Sequence, residues 1–459
     1  MNELELNTNQ KVHFIGIGGV SMSGLAHILL DRGIPVSGSD MKQSALTDEL
    51  ASLGAEIRIG QSGDNITDDI HLVVYTAAIS PDNPELKAAK EAGIQTMVRA
   101  DFLGLLMKHY QQAICVSGTH GKTTTTSLLS QIFLDAGADP TISVGGVLPS
   151  IGGNVRIGHS DLFITEACEY TNSFLSFFPT TEIILNVQED HMDFFKDLDD
   201  IRNSFRLYSR LLPEDGLLVI NGEIDDLSYF TDGLSAKVVT FGLKEGCEVR
   251  AEQITYNAFA CAEYDLTING ERAAHVALKL PGEHNVYNSL AALAAAIRSG
   301  IAPEDAAASV SVFTGVDRRF QQKGTLGGIT IVDDYAHHPD EIRATLSAAK
   351  KMPHGRLLVV FQPHTYTRTK AFLDEFADAL SLADMVILAP IYAARETDTL
   401  GISSDDIKKR IDEKGIVCHS FPSFDAIENF LLENCVNEDL LITMGAGDVY
   451  IIGEKLLGN

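Results

Sequence analysis

The chain has 459 residues, 45% hydrophobic and 21% charged, which are globular proportions with room for two to four domains. Its formal net charge of −28 argues against a nucleic-acid partner or an anionic membrane, since polyanions are held by basic surface. The six Cys are scattered with no CxxC pair, the acidic start has no signal-like apolar region, and no apolar run nears ~18 residues, so disulfides, zinc and membrane insertion are not expected and a cytoplasmic location is.

To about residue 107 the pattern alternates strand and helix. Val12–Ile15 reads as a strand, Gly16-Ile17-Gly18-Gly19-Val20-Ser21 as a glycine turn, and a helix follows through Leu30. A second strand near Pro35–Ser37 ends at Ser39-Asp40, and further strands fall around Leu72–Tyr75 and Ile94–Val98. This is a parallel, doubly wound pattern. A dinucleotide fingerprint would need Gly where Ser21 stands. A diphosphate can still sit over Gly16, Gly18 and Gly19 at the helix start, with Asp40 suited to a ribose hydroxyl. A tight turn with no ligand is the plainer alternative.

The segment 108–316 opens on Ile114-Cys115-Val116-Ser117-Gly118-Thr119-His120-Gly121-Lys122-Thr123-Thr124. The turn is shorter than GxxxxGK[ST], which would want Gly at Val116. An apolar strand enters a glycine turn whose backbone N–H groups converge on an anion. Lys122 adds a full charge for the outer phosphates, and the Thr123 hydroxyl is placed for Mg²⁺. Thr123 to Thr126 are four β-branched residues in one helical turn, each roughly 0.5 kcal/mol worse than Ala. A helix built for stability alone would avoid them. Behind them Leu128, Leu129, Ile132, Phe133 and Ala136 recur at helical spacing, and Gly137 can end the helix.

Later strands are expected at Leu162–Thr165, Glu182–Asn186 and Leu217–Ile220, an antiparallel patch over 236–280, then an Ala-rich helix near His284-Asn285 and Asn288. Glu166 falls at a strand end, where a phosphate-loop protein keeps an acidic metal ligand; Glu169 is either a supporting group or solvated. Glu189-Asp190-His191-Met192-Asp193 follows another strand end, and helix capping by Asp190 is its plainer reading. Oxygen ligands with one His suit Mg²⁺ or Mn²⁺ better than Zn²⁺.

From 317 the βα pattern resumes, with strands at Ile329–Val332, Leu357–Phe361, Met385–Leu388 and Leu440–Met444. Arg318-Arg319 mark the junction. Asp333-Asp334-Tyr335-Ala336-His337-His338-Pro339 and Gln362-Pro363-His364-Thr365-Tyr366-Thr367-Arg368 each follow a strand, where open α/β sheets bind ligands.

Together, GIGGVSMSG, GTHGKTTT, EACEY, NVQEDHMD, LPGEHNVYN, GVDRRF, DDYAHHP and QPH-Y-RT resemble the Mur ligases, in the family's order and over essentially the whole chain. The resemblance is to the branch that adds L-alanine. It implies an α/β protein of three domains: a Rossmann-like UDP-sugar domain (1–107), a central ATP-binding phosphate-loop domain with a mixed sheet (108–316) and a Rossmann-like amino-acid domain (317–459). It also implies ATP with Mg²⁺ or Mn²⁺, the partners UDP-N-acetylmuramate and L-alanine, and room for a homo-oligomer. ATP would meet Gly118, Thr119, His120, Gly121, Lys122, Thr123, Thr124, Asn285 and Arg319. The metals would be held by Thr123, Glu166 and His191, and UDP-sugar by Gly16, Gly18, Gly19, Ser39 and Asp40. Tyr335, His337 and Arg368 would line the amino-acid site, and Lys122, Glu166, His191, His337 and Arg368 would carry catalysis.

Two positions depart from family patterns, the first as the L-alanine branch itself does and the second by lacking an Arg that could meet the amino-acid carboxylate. Related ligases that add later residues carry a carbamylated Lys where this chain has Ser204. Many L-alanine ligases read QPHR where this chain has Thr365. The nearest rival activity is the cell-wall recycling ligase, which joins UDP-N-acetylmuramate to a ready-made tripeptide. An NAD-dependent oxidoreductase and a non-catalytic nucleotide switch are the readings from other classes.

Overall fold

The structure, a computed structural model, describes residues 8–76, 79–394 and 396–458. Three sheets follow one another along the chain. The first is five-stranded and wholly parallel, with Lys11–Ile15 at its centre between Val36–Asp40 and Ile70–Tyr75. Its outer strands are Glu56–Ile59 and Gln95–Val98. Glu56–Ile59 had no counterpart in the sequence reading. It lies on the sheet edge with mostly exposed side chains, so it lacks the apolar run that marked its neighbours.

The central sheet has ten strands and is mixed. Gln112–Ser117 lies in its parallel middle between Leu162–Glu166 and Thr181–Ile184. Leu217–Asn221 and Lys237–Gly242 continue the parallel run, and Val249–Tyr256 joins it through two paired residues. Only then do Val249–Tyr256, Cys261–Ile268 and Glu271–Pro281 turn antiparallel. The expected antiparallel patch therefore starts later than residue 236, since alternation gives a strand's faces but not its pairing direction.

Two helices pack on this sheet in one core, Lys122–Asp135 and the Ala-rich His284–Arg298. Ala291, Ala292 and Ala294 to Ala296 are fully buried, so small side chains let this helix approach closely. Leu290 and Leu293 fill what remains. Truncating either costs about 2–5 kcal/mol at such a site. Gly137, at φ 74°, follows the end of the first helix as its sequence position suggested.

The last sheet has six strands. Gln321–Leu326 runs antiparallel to Ile329–Asp334, and the rest is parallel: Leu440–Met444, Leu357–Phe361, Met385–Leu388 and Val417–Ser420. Leu440–Met444 is inserted between Ile329–Asp334 and Leu357–Phe361, and the carboxyl ends of all three face the same way. This is the α/β architecture with Rossmann-like outer sheets and a mixed middle sheet that the sequence implied. No helix among the described residues is long and apolar enough to cross a membrane.

Candidate active site

The phosphate loop leaves the central strand at Ser117. Gly118 has φ 139°, and a Cβ there would lie 2.8 Å from Leu185 Cβ and 3.2 Å from Asn186 N. Gly121 has φ 86° and is pressed against the Asn288 side chain. Both positions demand glycine, which explains the two fixed ends of the turn. Asn186 pins the loop between them: its Oδ1 accepts from His120 N at 2.8 Å and its Nδ2 donates to His120 O at 3.1 Å.

Lys122 opens the helix and curls back over the loop. Its Nζ donates to Gly118 O, to Thr119 O at 3.0 Å, and to both oxygens of Glu169 at 3.0 and 3.3 Å. Burial would lower the Lys122 pKa, but Glu169, with Cys168 and Glu166, outweighs it and raises the value. Glu169 is 2% exposed, which excludes the solvated reading. It is the carboxylate that holds the loop cation, and sequence reasoning had left its role open.

Glu166 ends its strand beside Gly145, whose N–H it accepts at 2.5 Å. A Cβ on Gly145 would lie 2.9 Å from Glu166 Oε2, so the carboxylate sits in a cradle only glycine leaves open. His191 stacks on Tyr170 with centroids 4.5 Å apart and lies 3.7 Å from Glu169 Oε1. Its backbone is left-handed at φ 54°. Burial, aided by Arg368 and Lys122, lowers its pKa against the pull of Asp190 and Glu169, so the ring stays neutral at neutral pH. By their chemistry the Thr123 hydroxyl, the cradled Glu166 carboxylate and the neutral His191 imidazole suit Mg²⁺ or Mn²⁺, whereas the group of three His, Cys, Asp or Glu side chains that lies close enough to share one ion among the described residues is His120, His338 and Asp340.

Asp190 caps no helix. Its Oδ1 accepts from Arg368 at 2.9 Å (Nη2) and 3.3 Å (Nε), joining the central and last sheets in an ion pair with both side chains about nine-tenths buried. Arg368 projects from the short helix Tyr366–Ala371, whose preceding residue Thr365 has φ 66° and ψ 147°. That conformation is costly for a β-branched residue, on the order of 1–3 kcal/mol. The Thr365 hydroxyl accepts from Arg368 N at 3.4 Å. Arg368 Nη1 also lies 3.3 Å from His364 Nδ1, and the His364 ring stacks on Tyr392. Tyr392 was missed in the sequence, where no local motif marks it.

Asp333 and Asp334 build the turn that presents Tyr335 and His337. Asp333 pairs with Arg318 at 3.0 Å. Asp334 accepts from Phe320 N at 3.0 Å and Ala336 N at 2.7 Å, and burial raises its pKa to about 6. Tyr335 lies under Arg318 and Arg319, with guanidinium carbons 5.0 and 5.1 Å from the ring centre. His337 meets Tyr335 edge-on at 5.4 Å.

A cavity of about 300 Å³ opens beside the loop between the central and last sheets. His120, Gly121, Asn285, Asn288, Arg319 and Glu341 are among its walls. That volume is at the lower end for small-ligand pockets and suits a nucleoside. Asn285 donates to Pro281 O at 2.8 Å and accepts from Asn288, and Glu283 rather than either Asn occupies the N-cap position. Neither Asn caps this helix.

The first sheet carries its own glycine loop. Asp40 Oδ2 accepts from Gly18 N at 2.9 Å, so the carboxylate braces the turn from within. Gly16 is left-handed at φ 81°, and Gly19 is the N-cap residue of the helix Val20–Asp31. Ser39 departs from the sequence expectation. It is fully buried, and its hydroxyl donates to Glu85 Oε2 at 2.6 Å beneath the loop. Arg99, absent from the sequence reading, bridges this loop and the central site. It donates to Ser21 Oγ at 2.9 Å, and its charge is felt at Cys168, next to Glu169. Ser204 is buried and donates to Asn172.

A phosphate-binding type of loop set between two Rossmann-like sheets, with His338 and Glu341 of the last domain against His120 of the loop, defines a three-domain nucleotide-dependent α/β class. Residues 11–111 match the Mur ligase family catalytic domain, 116–296 the Mur ligase middle domain, and 318–447 the Mur ligase glutamate ligase domain. The chain is 58% identical over 458 residues to the UDP-N-acetylmuramate–L-alanine ligase of Lachnospira eligens, covering all of both chains. It is similar to the crystal structure of the UDP-N-acetylmuramate–alanine ligase of Thermotoga maritima, with TM-score 0.81, 30% identity and 98% of each chain covered. It is also similar to a murein peptide ligase from Psychrobacter arcticus, with TM-score 0.74, 25% identity and 98% of each chain covered. The chain belongs to the Mur ligase family.

Proposed function

We propose that the protein joins L-alanine to UDP-N-acetylmuramate at the expense of ATP, through an acyl phosphate, in peptidoglycan precursor synthesis. The observation that carries the reading is the meeting of Lys122, Glu169 and His191 with Asp190, Arg368 and His337 across the boundary of the central and last sheets. The full-length likeness to L-alanine ligases supports this substrate pair. The division of labour at about residues 107 and 316 follows the three sheets.

The physical problem is an anion attacking an anion. Two unit charges ~4 Å apart repel by roughly 4 kcal/mol at an effective dielectric of 20. Lys122 offsets this at the outer phosphates once it exchanges Glu169 for ATP oxygens. Thr123, Glu166 and His191 would hold Mg²⁺ or Mn²⁺, which supplies further charge neutralisation on the phosphates. Gly118 to Lys122 cradle the phosphates, and Asn285 and Arg319 face the nucleoside. Gly16, Gly18, Gly19 and Asp40 take the UDP end of the sugar nucleotide, and the cationic Arg99 lies between them and the acyl centre.

The lactoyl carboxylate attacks the γ-phosphorus, ADP leaves, and the amine of alanine then displaces phosphate from the acyl carbon. Arg368 orients the alanine carboxylate beside Tyr335, and His337 is the nearby proton acceptor. The Asp190–Arg368 pair draws the last sheet over the loop and limits water, which would destroy the acyl phosphate.

The test is mass spectrometry of products from UDP-N-acetylmuramate, ATP and a panel of L-Ala, Gly, L-Ser and the recycling tripeptide. An alanyl product dominating in competition supports the reading. A tripeptide adduct dominating moves the chain to the recycling activity, and no adduct with ATP present refutes ligation.

A further inference from the structure

Glu341 was not singled out in the sequence, yet it sits where three chain segments meet. It belongs to the helix Pro339–Ala349, and its side chain is largely buried. One oxygen, Oε2, accepts from the backbone N–H of His337 at 3.1 Å and of His338 at 3.3 Å, and lies 3.3 Å from His337 Nδ1. The other, Oε1, lies 3.3 Å from Nδ1 of His120 in the phosphate loop and 3.9 Å from Arg319.

The tautomer of His337 follows from its surroundings. Nδ1 is 3.0 Å from Tyr335 O, a carbonyl that can only accept. Its second neighbour is the Glu341 carboxylate, which also only accepts when ionised. Nδ1 therefore carries the proton, and the lone pair of the neutral ring is on Nε2. Burial, with help from Arg368 and His364, holds the ring neutral, while Glu341 and Asp190 pull the other way. His120 is bound the same way, Nδ1–H toward Glu341, on the opposite side of the boundary.

We propose that Glu341 is a positioning residue: its carboxylate fixes His337 with Nδ1 protonated and Nε2 free for the alanine ammonium, and ties that arrangement to the phosphate loop through His120. This rests on the assignment of His337 to the amino-acid site. The ammonium gives one proton to His337 Nε2. The neutral amine forms the C–N bond to the acyl carbon, the C–O bond to phosphate breaks, and the second N–H proton leaves to water. The imidazolium formed faces an anion already in place, as in other oriented imidazole bases.

Glu341 also completes a capping box with His338, so a purely structural role must be separated from this one. Gln serves in a capping box as well as Glu does. Glu341→Gln therefore keeps the cap and removes the charge. The assay compares L-alanine with hydroxylamine as nucleophile in the full-length enzyme with UDP-N-acetylmuramate and ATP. Hydroxylamine is already unprotonated at neutral pH and needs no base to become a nucleophile.

The expected result is a fall in kcat with alanine on the order of 10²-fold, the lower end of general-base contributions. Hydroxamate formation should fall far less, so that the ratio of the alanine rate to the hydroxylamine rate drops by most of that factor. Glu341→Asp, a shorter carboxylate, should recover part of the alanine rate, and it serves as the probe if the Gln variant does not fold. Parallel loss with both nucleophiles, or unchanged alanine turnover, overturns the proposal. Wild-type enzyme that yields neither alanyl product nor hydroxamate refutes the ligase reading instead, so the two failures are distinct.

Discussion

Replacing Lys122 with Met removes the ammonium that neutralises Glu169 and keeps a side chain of similar length. Two charge-assisted bonds to Glu169 vanish, at 3.0 and 3.3 Å, and the carboxylate is left 2% exposed. Breaking a buried pair from one side costs about 3–5 kcal/mol, because the remaining charge is unpaired. Taking about 3 kcal/mol, and roughly 2–4 °C per kcal/mol for a domain of this size, the central domain should melt roughly 6–12 °C lower. Removing the carboxylate as well should return part of the loss. Lys122→Met/Glu169→Gln is therefore expected to be more stable than Lys122→Met alone, with a coupling of about 2 kcal/mol in the cycle. Recovery stays partial, since Gly118 O and Thr119 O also lose their donor. Scanning calorimetry on the four proteins reads the cycle directly. Strict additivity, with a coupling below about 0.5 kcal/mol, would show that Glu169 does not depend on Lys122 and refute the reasoning.

Glu166→Gln should raise the Mg²⁺ concentration for half-maximal activity by about 10-fold or more, in line with the weakening seen when metal-site groups are altered; an unchanged metal titration places the ligand elsewhere. Arg368→Lys keeps the charge but loses the forked donor, and KM for L-alanine should rise about 10-fold with KM for ATP unaffected, as measured by steady-state kinetics. In the first sheet, burial raises the Glu85 pKa, but contacts from His13, Ser39 and Asn65 lower it further, to below the usual 4.5. A lowered folded pKa adds stability above the unfolded value and loses it as pH falls through the folded one. Glu85→Gln should thus be less stable than wild type at pH 7 by about 1–2 kcal/mol and converge with it in strong acid; an equal deficit in denaturant melts at both ends would contradict the sign.

Much of this was legible in the sequence because it is local. A strand, two glycines at forced φ, a Lys and a Thr lie within eleven residues, so the phosphate loop announces itself at Gly118, Gly121 and Lys122. Strands ending in Glu166 and Asp334, and the one ending at Phe361 just before Gln362, were readable from apolar runs that stop at polar residues. What stayed hidden depends on contacts between distant segments. Nothing near Glu169 shows that it holds Lys122, 47 residues away, and nothing near Asp190 shows that it meets Arg368, 178 residues on. The burial of Ser39 was hidden for a related reason: a strand-end residue looks open until the helix bearing Glu85 is packed beneath it. Lys237–Gly242 was misread in pairing direction because parallel and antiparallel strands share one side-chain period.

Crystallography of the protein with a non-hydrolysable ATP analogue and Mg²⁺ examines the central claim most directly. The β- and γ-phosphates should rest against the N–H groups of Gly118 to Lys122, with Lys122 Nζ moved from Glu169 onto a phosphate oxygen. A nucleotide bound in another cleft, with Lys122 still on Glu169, would contradict the account.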